Sequence, residues 1–172
     1  MTKRIYRLIL ICALLFSLRP SAGLAVTVYS PDVSVRSGET ITVPVMIDDL
    51  DNLAGLKLVI VFDETVLTYA GGAKTPLATT FMYIVNDRQP GRLVLVMAGA
   101  RGIGGKKITV FEFRFTTSVE IKKAIQTELR IVESQLMSAE LKNIKHDTKP
   151  FRVAIFPTAP AGAAVSSKIM DP

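Results

Sequence analysis

Apolar residues in this chain recur at every second position, run after run. Ile41, Val43, Val45 and Ile47 share one side of "SGETITVPVMI", Leu56, Leu58, Ile60 and Phe62 one side of "LAGLKLVIVF", and Phe111, Phe113 and Phe115 one side of "KKITVFEFRFTT". Successive side chains of a strand point to opposite faces, so each set lines one face of an extended segment. A stripe of 3.6-residue period, which a long surface helix requires, is missing from these runs.

Further runs carry the same reading. "VTVYS" (Val26 to Ser30), "VLTYA" (Val66 to Ala70), "FMYIVN" (Phe81 to Asn86), "GRLVLVMAGA" (Gly91 to Ala100) and "FRVAIF" (Phe151 to Phe156) are expected strands, separated by turns rich in Gly, Pro, Asn and Asp. "QTELRIVESQL" fits strand or helix by spacing, with strand favoured by its neighbours. Pro44 has no N–H to give a ladder, which places its strand at an edge or beside a bulge. Asp48 to Asn52 reads as a polar turn, Asp63-Glu64-Thr65 as a turn with its own side-chain acceptors, and "GGAKTP" as a loop. "GIGGKK" joins two strands and reads as a hairpin turn. Many short strands with such turns predict an all-β fold, an antiparallel two-sheet β-sandwich.

The chain start carries an address. Lys3, Arg4 and Arg7 precede the apolar run Leu8 to Leu18, and small residues follow at Gly23 and Ala25. The run is shorter than the roughly 20 residues of a membrane-spanning helix, so residues 1–25 read as a cleaved signal peptide, with a retained N-terminal anchor as the alternative. A secreted or extracytoplasmic protein (periplasm, cell surface or extracellular) is expected, with no membrane span after cleavage. The whole chain has 21 basic and 15 acidic residues, and the signal carries Lys3, Arg4, Arg7 and Arg19, leaving 17 against 15. The remaining bases are scattered among acids, which excludes a nucleic-acid stripe. The single cysteine, Cys12, lies in the signal, so the exported part has neither a disulfide nor a cysteine nucleophile. About 147 residues remain, enough for one core; residues 26–156 read as the domain and 157–172, Pro- and Ala-rich, as a linker-like disordered tail.

"SGETITVPVMIDDLDNLAGLKLVIVFDETVL" resembles the first half of cohesin domains: a Gly-Asp/Glu-Thr turn, a "VPV" strand, a small-residue entry and a "YDPxVL"-like segment, here with Phe62-Asp63-Glu64. "GRLVLVMAGARGIGGKKITVFEFRF" is similar to the second half, and the likeness runs from Val26 to Phe156. The resemblance implies a nine-stranded jelly roll related to carbohydrate-binding modules. It also implies a non-catalytic scaffolding role in polysaccharide breakdown, with a calcium-loaded, dockerin-bearing protein as partner. Where dockerin-binding cohesins present Asn and Asp, this chain has Gly55 and Lys57, which reverses the charge offered; near the later acidic contact, Gly99 to Arg101 supply no carboxylate.

Candidate sites follow from the residue types. Lys57, Val59, Val61, Val94 and Val96 give outward strand faces a half-apolar character suited to a protein partner, with Arg101 at one end. The alternative for these positions is cover by a neighbouring strand or loop. Carbohydrate binding is the second class; without Trp it would require a platform made of Tyr29, Tyr69 and Tyr83. A structural role in a cell-surface assembly is the third. Asp48, Asp49 and Asp51 are candidate oxygen ligands for calcium, the one cofactor considered, with a solvated turn as the alternative. An enzyme has little to use: His146, the only histidine, sits in polar "KHDTK" and reads as an exposed loop residue. Ser/His/Asp, HExxH and phosphate-loop patterns are absent.

Overall fold

The computed structural model describes residues 26–158. The signal segment with Cys12, and residues 159–172 of the tail, lie outside the described residues. Eleven strands run in order: β1 (Val26–Tyr29), β2 (Val33–Arg36), β3 (Thr40–Asp48), β4 (Leu50–Val61), β5 (Leu67–Lys74), β6 (Met82–Gln89), β7 (Arg92–Gly105), β8 (Ile108–Thr117), β9 (Ile125–Ser138), β10 (His146–Thr148) and β11 (Phe151–Phe156). A 3-10 turn, Pro76–Ala78, follows β5. No helix among the described residues is long and apolar enough to cross a membrane.

The strands form two sheets, ordered β10-β1-β3-β8-β5 and β2-β11-β9-β4-β7-β6. In the first, Ile41, Val43 and Val45 pair with Phe115, Phe113 and Phe111, so one inner face is aliphatic beside aromatic. The second contributes Leu56, Leu58 and Ile60 from β4 and Leu93, Leu95 and Met97 from β7. All of these are buried, and each such side chain contributes about 1.5–3 kcal/mol by leaving water. Phe111 and Phe113 meet edge-on at 4.9 Å, Phe62 and Phe115 at 5.1 Å, the offset geometry that aromatic quadrupoles favour.

The period-two runs become strands as expected, and the outer side of β4 is half-buried as its Gly55-Lys57-Val59-Val61 composition implies. Asp63 closes the turn after β4, its Oδ1 accepting from Thr65 N (2.9 Å) and Thr65 Oγ1 (2.6 Å). Pro44 sits next to the register shift between Val45 and Met46, and β1 pairs β3 only from Met46 to Asp48. Its missing N–H therefore leaves no gap in a continuous ladder.

Four expectations change. Among the described residues the count is eleven strands, not nine, and two pairings are parallel: β1 with β10 and β2 with β11. The polar turn at Asp48 to Asn52 is tighter than expected. Asp49 and Asn52 adopt φ of 52° and 56°, a region that short polar side chains tolerate, and Leu50 between them is buried. "GGAK" continues β5 through a bulge between Tyr69 and Gly72 instead of looping out. Glycine is required there because a Cβ on Gly72 would lie 2.6 Å from Phe111 Cε1. Finally, "GIGGKK" does not close a hairpin: it links β7 and β8 in opposite sheets, because β7 pairs β4 and β6 while β8 pairs β3 and β5.

β9 settles as a strand, and its ambiguity has a cause. Val59 faces Glu133 and Ile60 faces Ile131, so Val132 is an extra residue that shifts the alternation by one and loosens the period-two signal.

Candidate functional site

Residues paired across a sheet project to the same side, so the ladders place the outward side chains of the six-stranded sheet in four rows. Taken across β6, β7, β4 and β9, they are Met82, Ala98, Gly55 and Met137; Ile84, Val96, Lys57 and Gln135; Asn86, Val94, Val59 and Glu133; and Gln89, Arg92, Val61 and Arg130. The first two rows are apolar toward β6, with Met82, Ile84 and Val96 exposed by 82%, 71% and 43%. Single exposed aliphatics are ordinary, but three adjacent ones on two paired strands make a patch, and patches mark contact surfaces.

Lys57 and Glu133 form an ion pair of 2.5 Å across the β4/β9 boundary. Both side chains are substantially exposed, which limits the pair to roughly 0–1 kcal/mol. Its larger effect is local neutrality: the Lys57 charge is met within the face. The fourth row is different. Arg92 and Arg130 form no ion pair among the described residues.

Of the residues singled out from sequence, Lys57, Val61, Val94 and Val96 fall together on this face. Val59 shares it but is 1% exposed, so its side chain is covered, as the alternative reading of these positions has it. Arg101 is exposed but stands apart, in the part of β7 between the Ala98–Gly55 and Ile103–Leu53 pairings, where the register breaks. Met82, Ile84, Arg92 and Glu133 were not singled out. The signal for the first two was the alternation in "FMYIVN", where Met82 and Ile84 oppose Phe81 and Tyr83.

The three tyrosines do not assemble a platform. Tyr29 lies on β1, two strands away from β8 across β3 in the five-stranded sheet. Tyr69, on β5, packs edge-on against Phe113 (6.2 Å) and Phe115 (5.8 Å). Burial holds its phenol above the ordinary value of 10.0, with Asp87 and Tyr83 adding to the rise and Arg114 opposing it. Tyr83 turns inward onto Phe111 (5.1 Å) and donates to Gly72 O (3.2 Å), joining β6 to β5 at the side of the sandwich. The rings of Tyr69 and Tyr83 serve packing.

The acidic candidate does not assemble either: among the described residues no group of three or more His, Cys, Asp or Glu side chains is placed to hold a metal ion. Asp48 ends β3, Asp49 turns the chain beside Lys106 (3.8 Å), and Asp51 belongs to β4. His146 is not an exposed loop residue; it opens β10 and is half-buried. Its Nδ1 lies 2.8 Å from Ile144 O, which requires that nitrogen to donate, and its Nε2 lies 2.8 Å from Ser134 Oγ. It ties one sheet to the other.

The architecture is a jelly-roll β-sandwich whose most distinctive surface, among the described residues, is a sheet face with an apolar patch. Comparison with known families makes the assignment specific: the cohesin domain model matches residues 26–149, and the chain belongs to the cohesin family. No curated protein matches it. Among solved structures it is similar to a cohesin from Clostridium acetobutylicum, with 18% identity and a TM-score of 0.70 over 79% of this chain and 94% of that one. It is also similar to a chain of the Coh-OlpC–Doc435 cohesin–dockerin complex of Clostridium thermocellum (15%, 0.68, 81% and 99%). A third is a non-cellulosomal cohesin from the archaeon Archaeoglobus fulgidus (16%, 0.66, 78% and 92%). At these identities the likeness is one of fold.

Proposed function

We propose that this protein is a non-catalytic assembly module that receives a calcium-loaded dockerin-type partner on the outer face of its six-stranded sheet. The observation that carries the reading is the exposed patch of Met82, Ile84 and Val96 on that face of a cohesin fold. A sheet face with an aliphatic patch along its β6–β7 side suits the apolar side of a helical partner. Lys57 and Val94 lie beside the patch and Val61 further along the same face; Val59 lies beneath the surface and acts through packing. In this reading residues 1–25 direct export and are removed, residues 26–156 fold as the module outside the cytoplasm, and residues 157–172 are a linker. A place in polysaccharide breakdown is one setting for such a module; the non-cellulosomal cohesin of Archaeoglobus fulgidus indicates that the fold is used in others.

The test is retention of dockerin-bearing proteins from the organism's own secretome by the immobilised protein, with and without a calcium chelator. Calcium-dependent retention of a dockerin-bearing protein supports the reading. Retention of none, together with binding on a glycan array, would replace it with carbohydrate recognition.

A further inference from the structure

The docking face is electrically uneven, and its unevenness specifies a partner. At the β6–β7 turn a cleft is lined by Asn86, Arg88, Gln89, Arg92 and Val94. Two guanidinium groups and two amides face it, and no carboxylate lines it. Arg88 and Arg92 form no ion pair among the described residues, in contrast to Lys57, which is met by Glu133. The turn chemistry holds this arrangement. Asn86 Oδ1 accepts from the Arg88 backbone N–H (3.1 Å), and the register shift between Asn86 and Gln89 marks a bulge in this part of β6. Asp87, between Asn86 and Arg88 in sequence, is not among the residues that line the cleft, and its charge adds to the rise of the Tyr69 phenol.

Arginine presents a planar fork that matches a carboxylate with two parallel N–H donors. Two such forks in one cleft, beside amide donors, offer an anion site next to an apolar patch. Val94 lines the cleft, and its neighbour on the same face, Val96, belongs to the patch.

We infer that the protein partner of this face carries carboxylate side chains at one end of its docking element, placed to enter the Arg88–Arg92 cleft while its apolar residues cover Met82, Ile84 and Val96. This rests on the docking reading above and deepens it by giving the partner a charge and an orientation. A protein is favoured over an acidic polysaccharide because the cleft adjoins exposed aliphatic side chains with no outward aromatic ring beside them, a surface suited to aliphatic contact and not to sugar stacking.

The test uses the full protein and a panel of calcium-loaded dockerin modules of known sequence, sorted by whether Asp/Glu or Lys/Arg flank the apolar positions of their exposed helix faces. Polygalacturonate serves as the acidic polysaccharide probe, and affinity is measured by calorimetry at low and high salt. Binding is expected from the carboxylate-bearing group, weakening as salt rises. It should fall about tenfold or more in the doubly substituted R88E/R92E protein, and by less in R88Q/R92Q, which keeps polar side chains without the charge. Changing the carboxylates of a bound module to Lys should restore part of its affinity for R88E/R92E. Equal binding by both dockerin groups, or binding that both variants leave unchanged, would overturn the inference while leaving the docking reading intact. Binding by no member of the panel would overturn both. Polygalacturonate binding that is lost in R88E/R92E, without dockerin binding, would reassign the cleft to an acidic glycan.

Discussion

The two outer faces of this sandwich are built from the same backbone but from different side chains. On the five-stranded sheet, β3 and β8 turn Thr42, Glu112 and Arg114 to solvent, and Thr40 meets Thr116 through their hydroxyls at 3.2 Å. On the six-stranded sheet, β6 and β7 turn out Met82, Ile84 and Val96. Both sheets bury an apolar inner face, so the contrast lies outside the core. Folding requires one apolar face per sheet; an apolar outer face adds nothing to the core and exposes the chain to association. Its presence on one sheet alone points to a partner.

The largest effect should come from the core that both faces share. Phe113 is fully buried, opposite Val43, and Phe113→Ala should destabilise the fold by about 3–5 kcal/mol in denaturant unfolding. Both faces are lost together in such a variant, which makes it the reference for a change that does not discriminate between them.

A sharper contrast comes from surface changes of one kind on each sheet. Ile84→Asp combined with Val96→Asp should cost about 2 kcal/mol or more of partner affinity, read by calorimetry. Thr42→Asp on the opposite sheet should leave affinity unchanged, and both variants should stay within roughly 1 kcal/mol of the parent in stability. Equal losses from the two faces would erase the distinction.

Smaller still is the Lys57–Glu133 pair. Lys57→Ala should reduce stability by less than about 1 kcal/mol, and that loss should shrink at high salt because both groups are exposed. The smallest effect belongs to Tyr69. Its phenol keeps its proton to higher pH in the folded state than the ordinary value of 10.0. Deprotonation therefore favours the unfolded chain: the contribution is fully present below about pH 10 and is lost as pH climbs through the raised folded-state value. Tyr69→Phe should flatten the alkaline limb of a stability–pH curve.

Much of this organisation could be read directly from the chain. Ile41, Val43, Val45 and Ile47, and the three phenylalanines of β8, announced their faces because alternation is a local property. Gly72 did not announce a strand, since the reason for a glycine there is the ring of Phe111, nearly forty positions later. Leu50 hid among aspartates because two left-handed residues let the chain turn around it. The bulge at Val132 masked β9, and the crossover at "GIGGKK" depends on which partners β7 and β8 choose, information no neighbouring residue carries. The site shows the same division. Lys57, Val61, Val94 and Val96 were legible as outward positions, whereas the burial of Val59 depends on the strands on either side, and the arginine cleft depends on a bulge in β6.

The central claim is that the apolar face of the six-stranded sheet is the one a partner covers. Side-chain chemical-shift mapping by nuclear magnetic resonance, with a calcium-loaded dockerin titrated into the protein, tests it most directly. Shifts concentrated at Met82, Ile84 and Val96, with Thr42, Glu112 and Arg114 unmoved, are the predicted result. Shifts centred on Thr42, Glu112 and Arg114, with Met82 and Ile84 unchanged, would contradict it.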